Sequence, residues 1–395
     1  MIRKTTHAHT PNRMIQAVLT LALVISFAVA AQSQQIHQLS YDGSNWMDQN
    51  LDGVQANPYD GISAFFTTPN DQTHVYYAAN GNDPDIHQLF YNGVSWSDED
   101  LSVLAGATPA TPGSPISGFS VANFQYVYYI GEEEDVHQLL YNNARWTDTD
   151  LSSLTGGPIA ETLVAFTTSP ALHVYYVDYN DFHIHQLFSP DGSTWQDQDL
   201  SSLTGGTTAS SSPGWMSGFN IGNFQYVYFV ASNNHVHQFL YNNSSWSDQD
   251  LTALTKTSPV IGHTGVQALV IPGTKKLRVY LEAGNTHLLQ LSSSNGTKWS
   301  STDLTKKAKA PLANAGDQIA AFATTPDKAL HIFYVSDLGV GEDYEHIVEL
   351  TQPTASTWTY QDLTALTNGG SPLDQYGSLT GFSLGDDQSL FYVAQ

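Results

Sequence analysis

From Ile36 to Val393, short apolar runs alternate with clusters of Gly, Asn, Asp and Pro, and one phrase keeps returning. It reads IHQLSYDGSNWMDQNL from Ile36, IHQLFYNGVSWSDEDL from Ile86 and VHQLLYNNARWTDTDL from Val136. It continues as IHQLFSPDGSTWQDQDL from Ile184 and VHQFLYNNSSWSDQDL from Val236, with looser copies ending at Leu304 and Leu363. A second phrase fills the intervals: ISAFFTT then HVYYA, ISGFSVA then YVYYI, LVAFTTS then HVYYV, MSGFNIG then YVYFV. VQALVIP then RVYL, IAAFATT then HIFYV, and LTGFSLG then LFYVA complete the set. Each unit therefore holds four runs rich in β-branched and aromatic residues between turn residues, the pattern of four short strands. No segment shows an amphipathic helical period, so strands alone are expected.

Trp46 and Trp358 lie 312 residues apart over six repeat intervals, about 52 residues each. Four strands at this period predict an all-β, seven-bladed propeller. The chain enters and leaves out of phase with its repeat. It opens on a third and fourth strand, Ile36 to Leu51, and closes on a first and second, Leu379 to Val393. Pairing the Leu390 strand with the Ile36 strand would build one blade from both ends and hide an edge.

Ahead of the repeats, residues 1–14 are basic, Ile15 to Ala30 is almost wholly apolar, and Ala28-Val29-Ala30 offers small residues for cleavage. That order predicts a signal peptide over residues 1–30 and export of a single propeller domain, residues 31–395, to the periplasm or exterior. Nothing later reaches membrane-span length, so no membrane insertion is expected. Thirteen Lys and Arg oppose thirty-seven Asp and Glu, a net charge of −24, and without Arg3, Lys4 and Arg13 it falls to −27. Such a surface repels phosphate backbones, which excludes nucleic acid as a partner. Cysteine is absent, which removes disulfides, thiolate metal sites and a thiol nucleophile.

The repeated polar residues bound the chemistry. Trp96, Asp98 and Asp100 share strand parity and face one side. A catalytic carboxylate pair is needed once, whereas this pair recurs in most copies, so the acids read as solvated or turn-bonded guards of outer edge strands. His37, His87, His137, His185 and His237 repeat at one position, and His183 and His235 add two H-x-H pairs. No third ligand accompanies them, so they read as hydrogen-bonded packing between blades, with no metal and no cofactor expected. Ser189 to Trp195 is similar to the Asp-box of sialidases but one residue short. A sialidase-like site needs an arginine cluster, and only Arg145 and Arg278 follow the leader, so Asp191-Gly192 reads as a hairpin turn. Aromatics are abundant: 21 Tyr, 8 Trp and 17 Phe. Rings beside Gln, Asn and Asp suit carbohydrate, whose C–H faces pack on rings while its hydroxyls take the amides.

On the paired phrases R/H-V-Y-Y and I-H-Q-L-x-Y-x(4–5)-W, the repeat resembles the fungal and bacterial fucose-specific lectin propellers, over all seven copies. The resemblance implies sugar pockets between blades, with Arg and Glu from one blade and Tyr and Trp from the next. The arginine position is Arg278 once and otherwise His74, Tyr126, His173, Tyr226, His331 and Leu390. The glutamate position is Glu349 once and otherwise Gln38, Gln88, Gln138, Gln186, Gln238 and Gln290. The tryptophans are Trp46, Trp96, Trp146, Trp195, Trp246, Trp299 and Trp358, accompanied by Tyr41, Tyr91, Tyr141 and Tyr241. No blade keeps both Arg and Glu. By this mapping, Arg278, Gln290 and Trp358 form the most lectin-like pocket, and His331, Glu349 and Trp46 the competing one.

Three readings follow. The first is a secreted, non-enzymatic lectin whose partners are glycans, with fucose one candidate sugar. The second is an interaction or structural propeller with decayed sugar sites. The third is an enzyme with one unrepeated site. Matching pockets at several blade junctions would mark a lectin, filled junctions a scaffold, and one unusual blade an enzyme.

Overall fold

The computed structural model describes residues 34–51, 53, 55–57, 60–67, 72–81, 84–211, 214–260, 265–338, 345–353, 357–369 and 378–394. They belong to one compact unit, Ser33–Gln395. The expected leader, residues 1–30, lies outside the described residues.

Seven four-stranded antiparallel sheets form the blades of a ring. Blade 1 joins Gln35–Tyr41 and Trp46–Asn50 to Leu379–Leu384 and Asp387–Ala394. Blades 2 to 7 follow in order, ending their fourth strands at Asp100, Asp150, Asp199, Asp250, Asp303 and Asp362. The expected closure is present: Leu39 pairs with Leu390 and Ile36 with Val393. First strands of successive blades touch, and that of blade 1 meets that of blade 2.

The second phrase shows why the ring packs. In V-Y-Y the two tyrosines point to opposite faces of a strand that is covered on both sides. Tyr76 joins the apolar cluster shared with blade 3, whereas Tyr77 joins the one shared with blade 1. Both are fully buried, as are Tyr128, Tyr129, Tyr175 and Tyr176. Each junction thus has its own core.

Among the described residues, six one-turn helices break the all-strand expectation: α1 (Leu101–Ala105), α2 (Leu151–Thr155), α3 (Leu200–Thr204), α4 (Leu251–Thr255), α5 (Leu304–Ala308) and α6 (Leu363–Thr367). Five residues are too few to display a helical period. Their ends are encoded instead. Asp100 accepts from Val103 N at 2.8 Å and caps α1, and the next residue after the helix, Gly106, turns left-handed at φ 66°. The second helical residue, Ser102, accepts from Ile86 N at 2.9 Å, tying each helix to the third strand of its blade.

Trp215, outside the repeat, reaches inside the ring. A Cβ on Gly61, at the entry to blade 2, would lie 2.9 Å from its ring, and one on Gly265, at the entry to blade 6, 3.0 Å from its Cβ. Loops of distant blades therefore meet there.

Candidate functional site

Second- and third-strand residues on one face of each blade look across a junction at the next blade. In blade 2 that face carries His74, Tyr76, Gln88 and Phe90, since Tyr76 pairs with Gln88 and His74 with Phe90. Blade 3 answers with Gln125, Tyr141 and Trp146. All but the fully buried Tyr76 line a cavity of about 540 Å³ between the blades.

The polar groups of this 2/3 junction are chained. Gln88 Nε2 donates to His74 Nδ1, and His74 Nε2 meets Thr67 Oγ1 at 3.2 Å. The Tyr76 hydroxyl donates across the junction to Gln125 Oε1 at 2.5 Å, and its ring meets Trp146 edge-on, with centroids 6.3 Å apart. Junction 4/5 repeats the layout. Gln186 Nε2 lies 2.8 Å from His173 Nδ1, Thr168 Oγ1 holds the other ring nitrogen at 2.8 Å, and the Tyr175 hydroxyl donates to Gln225 Oε1. Trp246 walls a cavity of about 480 Å³ there. Burial pushes His74 and His173 down to about 4, so both rings are neutral and accept at Nδ1.

Junction 7/1 has the same frame with different chemistry. Its cavity, about 390 Å³, is lined by His331, Glu349, Gln361, Gln388, Tyr41 and Trp46. Glu349, 1 % exposed, takes His331 Nδ1 at 2.6 Å and the Gln361 amide. Phe333 stands where Tyr76 and Tyr175 stand, its ring edge-on to Trp46 with centroids 6.0 Å apart. It has no hydroxyl to offer, and Gln388 Oε1, the counterpart of Gln125, is buried without a hydrogen-bond partner.

The remaining expected sites differ. At junction 3/4 Tyr126 stacks on Phe119 and Gln138 donates to the Tyr128 hydroxyl at 2.8 Å, with Trp195 edge-on to Tyr128. At junction 5/6 the longer turn of blade 6 occupies the space. Gln238 donates to the Gly296 carbonyl at 3.1 Å, a Cβ on Gly296 would lie 3.2 Å from the Tyr226 ring, and Trp299 donates to Gln249 at 3.1 Å. At junction 6/7 Arg278 folds its Nη1 onto the Leu277 carbonyl at 2.8 Å, Gln290 turns to Ser292 at 2.9 Å, and Trp358 is buried.

The repeated acids and histidines need correction. His87 bonds Asp98 of its own blade at 3.3 Å, as His37 does Asp48, His137 Asp148, His185 Asp197 and His237 Asp248. They are cross-strand pairs within blades, not packing between blades. Third and fourth strands place the two side chains diagonally on one face, within reach of each other. Asp98 is therefore a partner of His87 and Tyr77, and Asp100 is the turn-bonded acid of the expectation, as the cap of α1. For His87, burial opposes the charged ring, but the hydrogen bond and charge of Asp98 outweigh it and raise its pKa. The H-x-H histidines separate likewise, His183 to Asp199 and His185 to Asp197, each at 2.9 Å.

Sequence reasoning missed the second-strand glutamines Gln125, Gln225 and Gln388, though N-F-Q-Y in two copies was a visible signal. It also missed Leu104, Leu203 and Leu366, exposed on their helices and lining three cavities. A further cavity at junction 1/2, about 710 Å³, is lined by Gln38, Tyr91, Trp96 and Ser389.

No protein-family model matches the chain, and no curated protein sequence matches it. Solved structures do resemble it. AofleA from Arthrobotrys oligospora aligns with a TM-score of 0.52 at 14% identity, over 91% of this chain and 94% of that one. The BP39L lectin from Burkholderia pseudomallei gives 0.53 at 14%, over 75% and 82%. A fungal lectin, that of Aleuria aurantia, described as a six-bladed β-propeller with a novel fucose recognition mode, gives 0.50 at 14%, over 76% and 93%. The likeness is one of fold, with one blade more here than in the Aleuria lectin.

Proposed function

We propose that the chain is a secreted, non-catalytic lectin that holds saccharides at its blade junctions, foremost 2/3, 4/5 and 7/1. The observation that carries this reading is repetition of one layout in three cavities. Each has a tryptophan wall and a second-strand glutamine from one blade, and a His with Gln or Glu from the other. A disaccharide-sized ligand can lay its C–H face on the ring and give its hydroxyls to amides and imidazole. Several weak sites on one ring add through avidity on a multivalent glycan. The neighbouring folds are lectins, and fucose is the first sugar to test. Catalysis is not part of this reading, because the recurring carboxylates already serve histidines and helix ends.

A glycan array probed with purified protein tests the reading: binding that falls on combined Trp146→Ala and Trp246→Ala is the expected result. No glycan bound would refute it and favour the second reading, a scaffold, which the occupied 5/6 junction supports. Export is tested separately by N-terminal sequencing of protein recovered outside the cytoplasm, which should begin just after Ala30.

A further inference from the structure

Cations are few in this chain and gathered in one sector. All eight lysines after the leader, with Arg278, fall between Lys256 and Lys328, opposed there by Glu282, Asp303, Asp317 and Asp327. Nine cations against four acids give that stretch a formal +5. Everything else beyond residue 30 has Arg145 against thirty-three acids, −32. The sector is blade 6 and its flanks.

Three of the lysines ring the 6/7 junction. Lys276 lies two residues before Arg278, just ahead of the strand Leu277–Glu282. Lys307 holds in α5 the place that Leu104, Leu203 and Leu366 hold in α1, α3 and α6, where those leucines line cavities. Lys328 comes from blade 7, and its Nζ lies 3.6 Å from where a Cβ on Gly273 of blade 6 would be. All three are exposed.

Beneath them three buried polar atoms lack a hydrogen-bond partner: Arg278 Nε, the Tyr280 hydroxyl and Gln290 Oε1. Tyr280 is fully buried and Gln290 7 % exposed. Leu330 stands in blade 7 where blade 3 has Gln125, which explains the bare hydroxyl: no amide meets it across the junction. Gln290 likewise stands at the position where the lectin resemblance implies Glu, so no acid on that strand neutralises the guanidinium. Burial lowers the pKa of Arg278, with no carboxylate opposing the shift.

We propose that the junction of blades 6 and 7 binds the oxyanion, carboxylate or sulfate, of an acidic saccharide. The inference rests on the reading of the junctions as sugar sites. Arg278 offers its Nε edge and Tyr280 a second donor to the anion, while Gln290 Oε1 accepts a hydroxyl of the same sugar. Trp358, in the apolar cluster that holds Tyr280, walls the site. These atoms are sealed from solvent, so the arriving anion draws Arg278 off the Leu277 carbonyl. The rim lysines steer it in. Glu282 is the one acid on that face of the second strand, about 13 Å along it by strand rise, and burial pushes it up to about 7.

The experiment is an array of matched neutral, uronate-bearing and sulfated saccharides, read with wild type, Arg278→Gln and the double variant Lys276→Ala with Lys307→Ala. Wild type should bind charged members about tenfold more tightly than their neutral parents, the scale of one charge-assisted contact. That preference should fall with added salt, vanish in Arg278→Gln and weaken in the lysine variant, whose exposed changes leave the core intact. Binding of uronates alone or of sulfates alone supports the proposal and identifies the oxyanion. Neutral sugars bound with no preference for charge refute it and leave the lectin reading standing. An Arg278→Gln protein that keeps the preference also refutes it. No saccharide bound at all refutes both.

Discussion

Junctions 2/3 and 7/1 are built from the same strands, yet one arrives satisfied and the other does not. In the first, Tyr76 donates to Gln125 across the gap and Gln88 serves a neutral His74. In the second, Phe333 has nothing to donate, Gln388 Oε1 is left bare, and Glu349 brings a carboxylate to His331. One hydroxyl and one amide-to-acid exchange therefore separate a pocket that is complete by itself from one that needs a ligand's donors. Bare buried acceptors are costly to fold and valuable to bind, so junction 7/1 should be the more selective of the two.

The largest effect should come from removing one wall of junction 7/1. Deleting residues 379–395 takes away Gln388 and buried Leu379, Leu390, Phe391, Tyr392 and Val393. At about 1.5–3 kcal/mol for each large apolar side chain, the loss matches or exceeds the whole stability of a typical domain. Denaturant unfolding should find no cooperative transition; an unchanged melt would contradict the shared blade.

Acid should separate the histidines next. His74 and His173 titrate near 4 in the fold against 6.5 as free side chains, so the unfolded chain takes the proton first as pH falls. Their contribution is complete above 6.5 and declines towards 4, by up to about 3 kcal/mol each. His74→Gln should flatten that slope in stability measured against pH. His87, His137 and His185 are shifted the other way, so they should protonate above 6.5, as histidine ring signals in NMR would show.

Exchanging the hydroxyl tests the comparison itself. Tyr76→Phe should leave Gln125 unpartnered and cost about 1–3 kcal/mol, whereas Phe333→Tyr should gain about 0.5–1.5 kcal/mol by satisfying Gln388. The two effects differ in size but should be opposite in sign; the same sign for both would break the comparison. The smallest change, Asp100→Ala, should cost about 1 kcal/mol by uncapping α1, with sugar binding at junction 4/5 unaffected.

Blade number and closure were legible because they depend on period and phase, and Trp46 to Trp358 displays both. The candidate pairs His74 with Gln88 and His331 with Glu349 were legible too, since each spans neighbouring strands of one blade. What escaped lies across junctions or across strands on a diagonal. Gln125 reaches Tyr76 from 49 residues away, and whether a junction opens depends on the next blade's turn, as Gly296 against Tyr226 shows. The one-turn helices escaped because five residues have no period, although Asp100 and Gly106 marked both ends of α1. His87 and Asp98 were each noticed, but their partnership needs the register of two strands.

The indole N–H signals of the eight tryptophans offer the most direct test of sugar binding between blades. Trp46, Trp146 and Trp246 wall the three like cavities, while Trp215 lies inside the ring against Gly61 and Gly265. In ¹H–¹⁵N spectra of the full protein titrated with the saccharide an array selects, the signals of Trp46, Trp146 and Trp246 should move and that of Trp215 should stay. Saturable binding that moves Trp215 and leaves those three in place would contradict the account.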